Sequence, residues 1–176
     1  MKNRRIPLLA GALALLCLLA CACGSAAQQP QEPQQPQEPQ EPEANAELTA
    51  LLEKVDTGYH PGTAGCSLVG AGLAGRLLDW YAGSDAGEDT VRATAKAYYD
   101  GLDSERQETF GEQLVSVSEL SYGLIGENAA SLLETAGYEA TAFPWSEEAQ
   151  QTLFGALCGG CGRQMPAAPE TNAPAA

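Results

Sequence analysis

Proline recurs at every third position in one stretch of this chain, and that stretch limits which residues can belong to a folded domain. Pro30, Pro33, Pro36, Pro39 and Pro42 lie in a segment otherwise made of glutamine and glutamate. A three-residue period matches polyproline II, an extended helix without internal hydrogen bonds. The segment has too little apolar surface to offset the entropy that ordering it would cost. Residues 21–46 are therefore predicted to be a disordered Pro/Gln/Glu-rich linker.

The N-terminus consists of a short basic start and an apolar run. Lys2, Arg4 and Arg5 precede Ile6–Ala20, which is fifteen residues without a charge. This order is typical of an export signal. The alternative is a plain membrane anchor, because the uncharged stretch reaches 18 residues when it is counted on to Cys23, the lower edge of what spans a bilayer. The flanks of the run favour the signal over a stop-transfer segment.

The apolar run ends in Leu18-Leu19-Ala20-Cys21, and this lettering resembles the lipobox of bacterial lipoproteins. The resemblance implies a signal peptide over residues 1–20 and a diacylglyceryl group on the thiol of Cys21. It also implies a protein anchored by lipid to the extracytoplasmic face of the cell membrane, where two or more acyl chains hold far more firmly than one. Leu19 is bulkier than the usual residue at its place. Lipidation is therefore predicted at Cys21, with Cys23 as the alternative.

The remaining segment, residues 47–163, has the size of a single domain and is strongly acidic. Its 117 residues carry 18 acidic and 6 basic side chains, and the whole chain has a formal charge of −14. Such a charge repels phosphate backbones, which excludes nucleic acid as a partner. His60 is the one histidine of the chain, which excludes a site with several histidine ligands.

Apolar residues within 47–163 recur at the spacing of a helix, and no window alternates with the period of a strand. Leu48, Leu51, Leu52 and Val55 occupy one face of the first such segment. Gly, Pro and Ser turns separate the segments, so the sequence predicts an all-α bundle of about five to six short helices, followed by a disordered tail over residues 164–176. Capping residues are predicted to open four of the helices: Thr63, Ser84 or Asp85, Ser104 and Ser146.

The segment Gly70-Ala71-Gly72-Leu73-Ala74-Gly75 looks like the dinucleotide fingerprint of flavin-dependent oxidoreductases. That chemistry needs a buried strand before the loop and a second strand, ending in an acid, after the helix. The flanking segments 59–65 and 84–89 are turn material. No cofactor is therefore predicted, and the small residues are interpreted as points where neighbouring helices approach closely.

The Cys158-Gly159-Gly160-Cys161 segment has several chemical interpretations. In an exported protein the two cysteines form a structural disulfide, alone or with Cys66, or remain free thiols. With Cys66 and His60 they would make a Cys₃His zinc site. A redox pair usually lies at a helix N-terminus, where the dipole stabilises the thiolate. Here the pair follows a helical segment, and the glycines are interpreted as a helix stop, so a disulfide or free thiols are favoured over zinc and redox chemistry.

No catalytic residue is predicted, because the carboxylates fall on solvated helix faces and no nucleophile has an evident partner. The aromatic residues of Trp80-Tyr81, Tyr98-Tyr99 and Phe143-Pro144-Trp145 either fill the core or line a ligand groove. The predicted function is that of a membrane-anchored lipoprotein whose domain binds an envelope protein or ligand, or organises the envelope. The alternative is an exported thiol/disulfide redox or metal-binding protein that uses Cys158 and Cys161. Three segments of the domain are Pro61-Gly62-Thr63-Ala64-Gly65, Leu77-Leu78-Asp79-Trp80 and Phe143-Pro144-Trp145. With these segments the domain also resembles small helical lipoproteins of anaerobic bacteria, a likeness that implies no activity.

Overall fold

A computed structural model describes residues 43–169 of the chain, and this part is helical throughout. Six helices are joined by turns, and a 3₁₀ turn (Tyr122–Leu124) follows the fourth. No strand occurs between residues 43 and 169, so the all-α prediction is confirmed. None of the helices in this range combines the length and apolar character that crossing a bilayer requires. The helices are α1 (Ala46–Gly58), α2 (Cys66–Gly83), α3 (Glu88–Asp100), α4 (Ser104–Ser121), α5 (Ala129–Thr135) and α6 (Glu147–Gly160).

The predicted leader, the candidate lipidation residues Cys21 and Cys23, and nearly all of the predicted linker lie outside the described residues. The fold begins at Asn45, whose side chain caps α1 by accepting a hydrogen bond of 2.9 Å from the Leu48 N–H. The backbone N–H of Asn45 also donates to Thr94 Oγ1 of α3 at 2.9 Å. The first residue of the domain is therefore bonded both to its own helix and to a second one.

One apolar core holds the helices together, because each helix turns a stripe of apolar side chains inward. The predicted stripe of α1 is buried, with Leu48, Leu52 and Val55 all 0% exposed. The largest fully buried side chains are Phe110 of α4 and Phe154 of α6. Helix α2 packs against α1, α4, α5 and α6, while the most extensive packing is between α3 and α6.

The close packing of α3 on α6 depends on glycines that the sequence suggested were a helix stop. Gly159 and Gly160 lie inside the last turn of α6, and Cys161 is the C-cap residue. A Cβ atom at Gly160 would lie 2.6 Å from the backbone oxygen of Arg92 and 2.9 Å from the Cβ of Ala95. Gly160 is therefore a contact position whose lack of a side chain lets α3 and α6 approach, whereas a Cβ at Gly159 would meet the side chain of Arg92.

The small residues of α2 act in the way that the sequence predicted. A Cβ at Gly70 would lie 2.9 Å from the Tyr59 ring, and one at Gly75 would lie 2.9 Å from the Tyr138 ring. Ala71 and Ala74 are buried between them, at 1% and 0% exposure. The Gly-Ala-Gly-Leu-Ala-Gly segment thus lies within a helix and lets neighbouring aromatic rings approach its backbone.

Besides α1, two helices begin at capping side chains. Ser146 caps α6 as predicted, because its hydroxyl accepts a hydrogen bond of 3.1 Å from the Ala149 N–H. Helix α4 begins one residue earlier than the predicted cap allows. Asp103 accepts from the Arg106 N–H at 3.0 Å, and Ser104 is the first helical residue.

Ser104 is thus not the cap of α4, and the predicted caps of α2 and α3 are wrong as well, because Gly65 and Gly87 precede those helices. Asp85, the alternative to Ser84, also lies before Gly87. The hydroxyl groups of Thr63 and Ser84 bond backwards along the chain. Thr63 Oγ1 donates to the carbonyl of His60 at 2.8 Å, and α2 begins only after Gly65, which has a φ of 78°. Ser84 Oγ donates to the carbonyl of Tyr81 at 3.3 Å and so belongs to the end of α2. Helix α3 accordingly starts later, after Gly87.

The C-terminal segment packs on the domain beyond the predicted boundary at residue 163. Met165 contacts the core, and the hydroxyl of Tyr122 donates to the carbonyl of Pro166 at 2.8 Å. The side chain of Arg163 lies so close to Gly111 that a Cβ there would be 2.6 Å from its Nε. The folded part therefore extends at least to Pro166, three residues into the segment that was predicted to be a tail.

Candidate functional site

The three cysteines that the sequence singled out in the domain are all free thiols. Cys158 and Cys161 are buried, at 0% and 3% exposure. The Cys158 thiol faces Ser118 Oγ of α4 at 3.9 Å, whereas the Cys161 thiol faces the Ala95 carbonyl of α3 at 3.9 Å. The two side chains therefore fill the junction of α6 with its neighbours.

Burial determines the protonation state of this pair. It raises the pKa of Cys158 to about 11, against a smaller opposing effect of the hydrogen bond to Ser118. It also raises the pKa of Cys161 to about 12, and the neighbouring Cys158 adds to that increase while Arg163 opposes it. At neutral pH roughly one thiol in ten thousand or fewer is ionised at these pKa values. Because the thiolate is the nucleophile in disulfide exchange, this environment disfavours the redox alternative.

The residues of the alternative zinc site are not assembled among the described residues. Cys66 is the first residue of α2, where it lies beside Tyr59, and His60 is exposed in the preceding turn. Within residues 43–169 no three His, Cys, Asp or Glu side chains come close enough together to hold a metal ion. The described part of the chain therefore offers Cys66, Cys158 and Cys161 as separate thiols.

The different burial of these thiols predicts selective alkylation of the native protein by iodoacetamide. Cys66 is half-buried and should react. Cys158 and Cys161 are buried and should react more slowly than Cys66 by a factor of at least about a hundred, because their reaction needs local opening of the α3–α6 contact. Mass spectrometry of the digested protein measures each site, and labelling in urea is the control in which all three react. Equal labelling of Cys66 and Cys158 in the native protein would contradict this arrangement.

A groove with a largely apolar lining lies between α5 and the loop that leads to α6. Its volume is about 390 Å³, which lies in the range of small-molecule sites. Apolar atoms of α5 and the loop form its floor and walls, and two carboxylates lie among them. The lining includes Leu133, Glu134, Tyr138, Glu139, Ala140 and Phe143.

The loop wall of the groove is fastened to α2 by one carboxylate. Asp79 accepts hydrogen bonds from the Tyr138 hydroxyl at 2.5 Å, the Thr141 N–H at 2.7 Å and the Ala142 N–H at 2.9 Å. Partial burial alone would raise the pKa of Asp79, but these hydrogen bonds together lower it below its usual value. An ionised Asp79 therefore holds the loop in place at neutral pH.

The aromatic side chains of the groove are supported from outside it. The guanidinium carbon of Arg76 lies 4.8 Å from the centre of the Tyr138 ring, in a cation–π arrangement. The Phe143 ring packs edge-on against Trp145, with ring centres 5.5 Å apart. Phe143 is 37% exposed although Trp145 beneath it is only 6% exposed. The groove therefore presents to solvent an aromatic surface that is held from below.

Glu134 and Glu139 bring negative charge to the groove. Both side chains are exposed, and neither forms an ion pair with any residue between 43 and 169. The chain has no lysine, arginine or histidine over residues 107–162, a stretch of 56 residues with eight glutamates. Neither α5 nor the loop can therefore supply a base to these carboxylates.

A second groove, on α4, differs from the first in its charge. Its volume is about 410 Å³ and its lining includes Glu112 and Glu119 together with Arg163 of the C-terminal segment. Both signs of charge are thus present there, and the arginine is already packed against Gly111. The second groove is accordingly less selective for the charge of a ligand.

Comparison of the chain with protein-family models, with curated proteins and with solved structures gives no match. The candidate site therefore depends on the geometry of the domain itself. Sequence reasoning singled out Phe143 as a possible groove residue but missed Glu134, Tyr138 and Glu139. The signal that could have found them is the long run without bases, because it leaves the glutamates near Gly137 without partners.

Proposed function

We propose that this protein is a lipoprotein anchored through Cys21, or through Cys23, to the extracytoplasmic face of the cell membrane. The lipid anchor is inferred from the lipobox-like segment Leu18-Leu19-Ala20-Cys21. This segment ends a leader that has a basic start followed by an apolar run. Acylation of one cysteine with more than one chain would give stable attachment. The folded domain would then work outside the cell, tethered at its N-terminal side.

In this proposal the domain is a binding module that the linker holds away from the membrane. If residues 26–44 are in polyproline II, these 19 residues span on the order of 60 Å, which is enough to separate the domain from the lipid headgroups. The groove beside α5 supports a binding role, because it is apolar, of ligand size and open to solvent through Phe143. The high pKa values of Cys158 and Cys161 favour binding over the redox alternative.

Metabolic labelling with palmitate tests the anchor in cells that express the full chain. We expect the unaltered protein to incorporate label and to fractionate with the membrane, and Cys21→Ser to lose both properties. If Cys23 is the acylated residue, Cys23→Ser will lose them instead. Cys17→Ser is the matched control, because Cys17 lies inside the apolar run and should not affect labelling. An unlabelled, soluble product that retains residues 1–20 would overturn the proposal.

A further inference from the structure

The groove beside α5 has a chemistry that points to one class of ligand, on the proposal that the domain is a binding module. We infer that it binds a small organic cation, namely an ammonium group carried on an apolar body. The apolar body would occupy the space between Leu133 and Ala140, and the ammonium would lie near Glu134 and Glu139. Neither of these two carboxylates is in an ion pair within residues 43–169.

The apolar body of the ligand is inferred from the aromatic rings of the groove. Tyr138 and Phe143 both line the space, and Phe143 keeps 37% of its surface exposed although an edge-on contact with Trp145 fixes it. Covering a fixed, exposed aromatic ring with an apolar body removes apolar surface from water and so favours binding. Aromatic faces also attract cations, and Arg76 already uses the Tyr138 ring in this way at 4.8 Å.

The positive charge of the ligand is inferred from the balance of charge around the groove. Glu134 and Glu139 line it without an ion pair in the described part of the chain, and Asp79 lies behind the Tyr138 hydroxyl. Arg76, held over the Tyr138 ring, is the opposing charge. Three carboxylates against one guanidinium leave the site negative, so an anionic ligand would be repelled and a cation attracted.

The size of the groove sets the scale of the ligand. A volume of about 390 Å³ accommodates a body of one ring with a short chain. The second groove has a similar volume, about 410 Å³, but Arg163 lies in its lining. A single-ring ammonium compound should therefore prefer the groove beside α5.

Three probes of nearly equal size test the charge that the groove selects: phenethylammonium, 2-phenylethanol and phenylacetate. Binding is measured by isothermal titration to the full chain in a neutral detergent, with the detergent alone as the blank. We expect phenethylammonium to bind about fivefold more tightly than the alcohol, as two partly exposed charge pairs imply, and phenylacetate to bind more weakly than either. Added salt should reduce this preference.

Two pairs of substitutions locate the effect. The double variant Glu134→Gln/Glu139→Gln should lose about fivefold in affinity for phenethylammonium and keep its affinity for 2-phenylethanol. Glu105→Gln/Glu108→Gln is the matched control, because it removes the same charge from exposed positions of α4 that do not line the groove. Phe143→Ala should weaken the binding of both probes while the helical signal in circular dichroism stays unchanged.

Equal affinity for the ammonium and the alcohol, or no loss in the Glu134→Gln/Glu139→Gln variant, overturns the inferred ligand class but leaves the groove as a binding site. Failure of all three probes to bind overturns the inference as a whole. Neither result touches the lipid anchor, which the palmitate experiment tests independently. A further contrary outcome is that the Glu105→Gln/Glu108→Gln control lowers the affinity for phenethylammonium as much as Glu134→Gln/Glu139→Gln does. That result would show only a general effect of charge and would also overturn the inference.

Discussion

Replacing Gly160 by alanine is expected to lower the free energy of unfolding by about 2–3 kcal/mol. In an ordinary helix the same change would be favourable by up to about 1 kcal/mol, because glycine loses more backbone entropy on folding. Here the new Cβ would lie 2.6 Å from the Arg92 carbonyl oxygen and 3.0 Å from the Lys96 nitrogen. Both atoms belong to the backbone of α3, so relief requires α3 and α6 to move apart, and the steric cost exceeds the entropic gain.

Urea denaturation followed by circular dichroism measures this change. Gly155→Ala is the control in the same helix, because nothing lies within 4 Å of a Cβ at that position. That variant should gain roughly 0.5–1 kcal/mol. If both substitutions shifted the midpoint in the same direction, the close approach of α3 to α6 would be refuted. The opposite signs of the two effects make the comparison independent of general helix propensity.

Removing the charge of Asp79 is expected to lower the free energy of unfolding by about 1–2 kcal/mol at pH 7. In Asp79→Asn the amide nitrogen replaces one of the two oxygens that accept from Tyr138, Thr141 and Ala142. The lowered pKa of Asp79 means that the folded state favours the ionised form. The stabilisation is therefore present above the unfolded pKa of about 3.9 and is lost as the pH falls through the folded value.

The test compares unaltered protein and Asp79→Asn by urea denaturation at pH 7 and at pH 3. The difference between them should shrink at the lower pH, because pH 3 lies below the unfolded pKa and the stabilisation from the ionised carboxyl is being lost as the pH falls toward the lowered folded value. Asp85→Asn is the control, an exposed aspartate in the turn after α2 that should have little effect at either pH. A difference for Asp79→Asn that is the same size at both pH values would mean that ionisation of this residue does not hold the loop.

The parts of the fold that sequence predicted are those set by local pattern. The i, i+3, i+4, i+7 spacing of Leu48, Leu51, Leu52 and Val55 is enough to define α1, because burial of one stripe is the main stabilising term of a short helix. Ser146 was also predictable, since a serine before two glutamates and an apolar run satisfies the first N–H groups of a helix. Neither feature depends on residues that are distant in the chain.

The features that sequence could not predict depend on distant contacts. Gly160 resembles a helix stop until the backbone of Arg92 is placed beside it. The groove also depends on a distant contact. Its loop is fixed by Asp79, which is 59 to 63 residues away in sequence from the groups that it binds. The state of Cys158 and Cys161 was left open for the same reason, since α3 and α4 provide the burial that raises their pKa values.

If the domain is anchored at its N-terminal side, as we propose, the bond from the Asn45 backbone to Thr94 has a mechanical consequence. Tension along the chain would enter the fold at Asn45 and be shared at once between α1, through the Leu48 cap, and α3, through Thr94. Peeling α1 away would first have to break both bonds. The domain is thus built to resist being unravelled from the end at which it would be pulled.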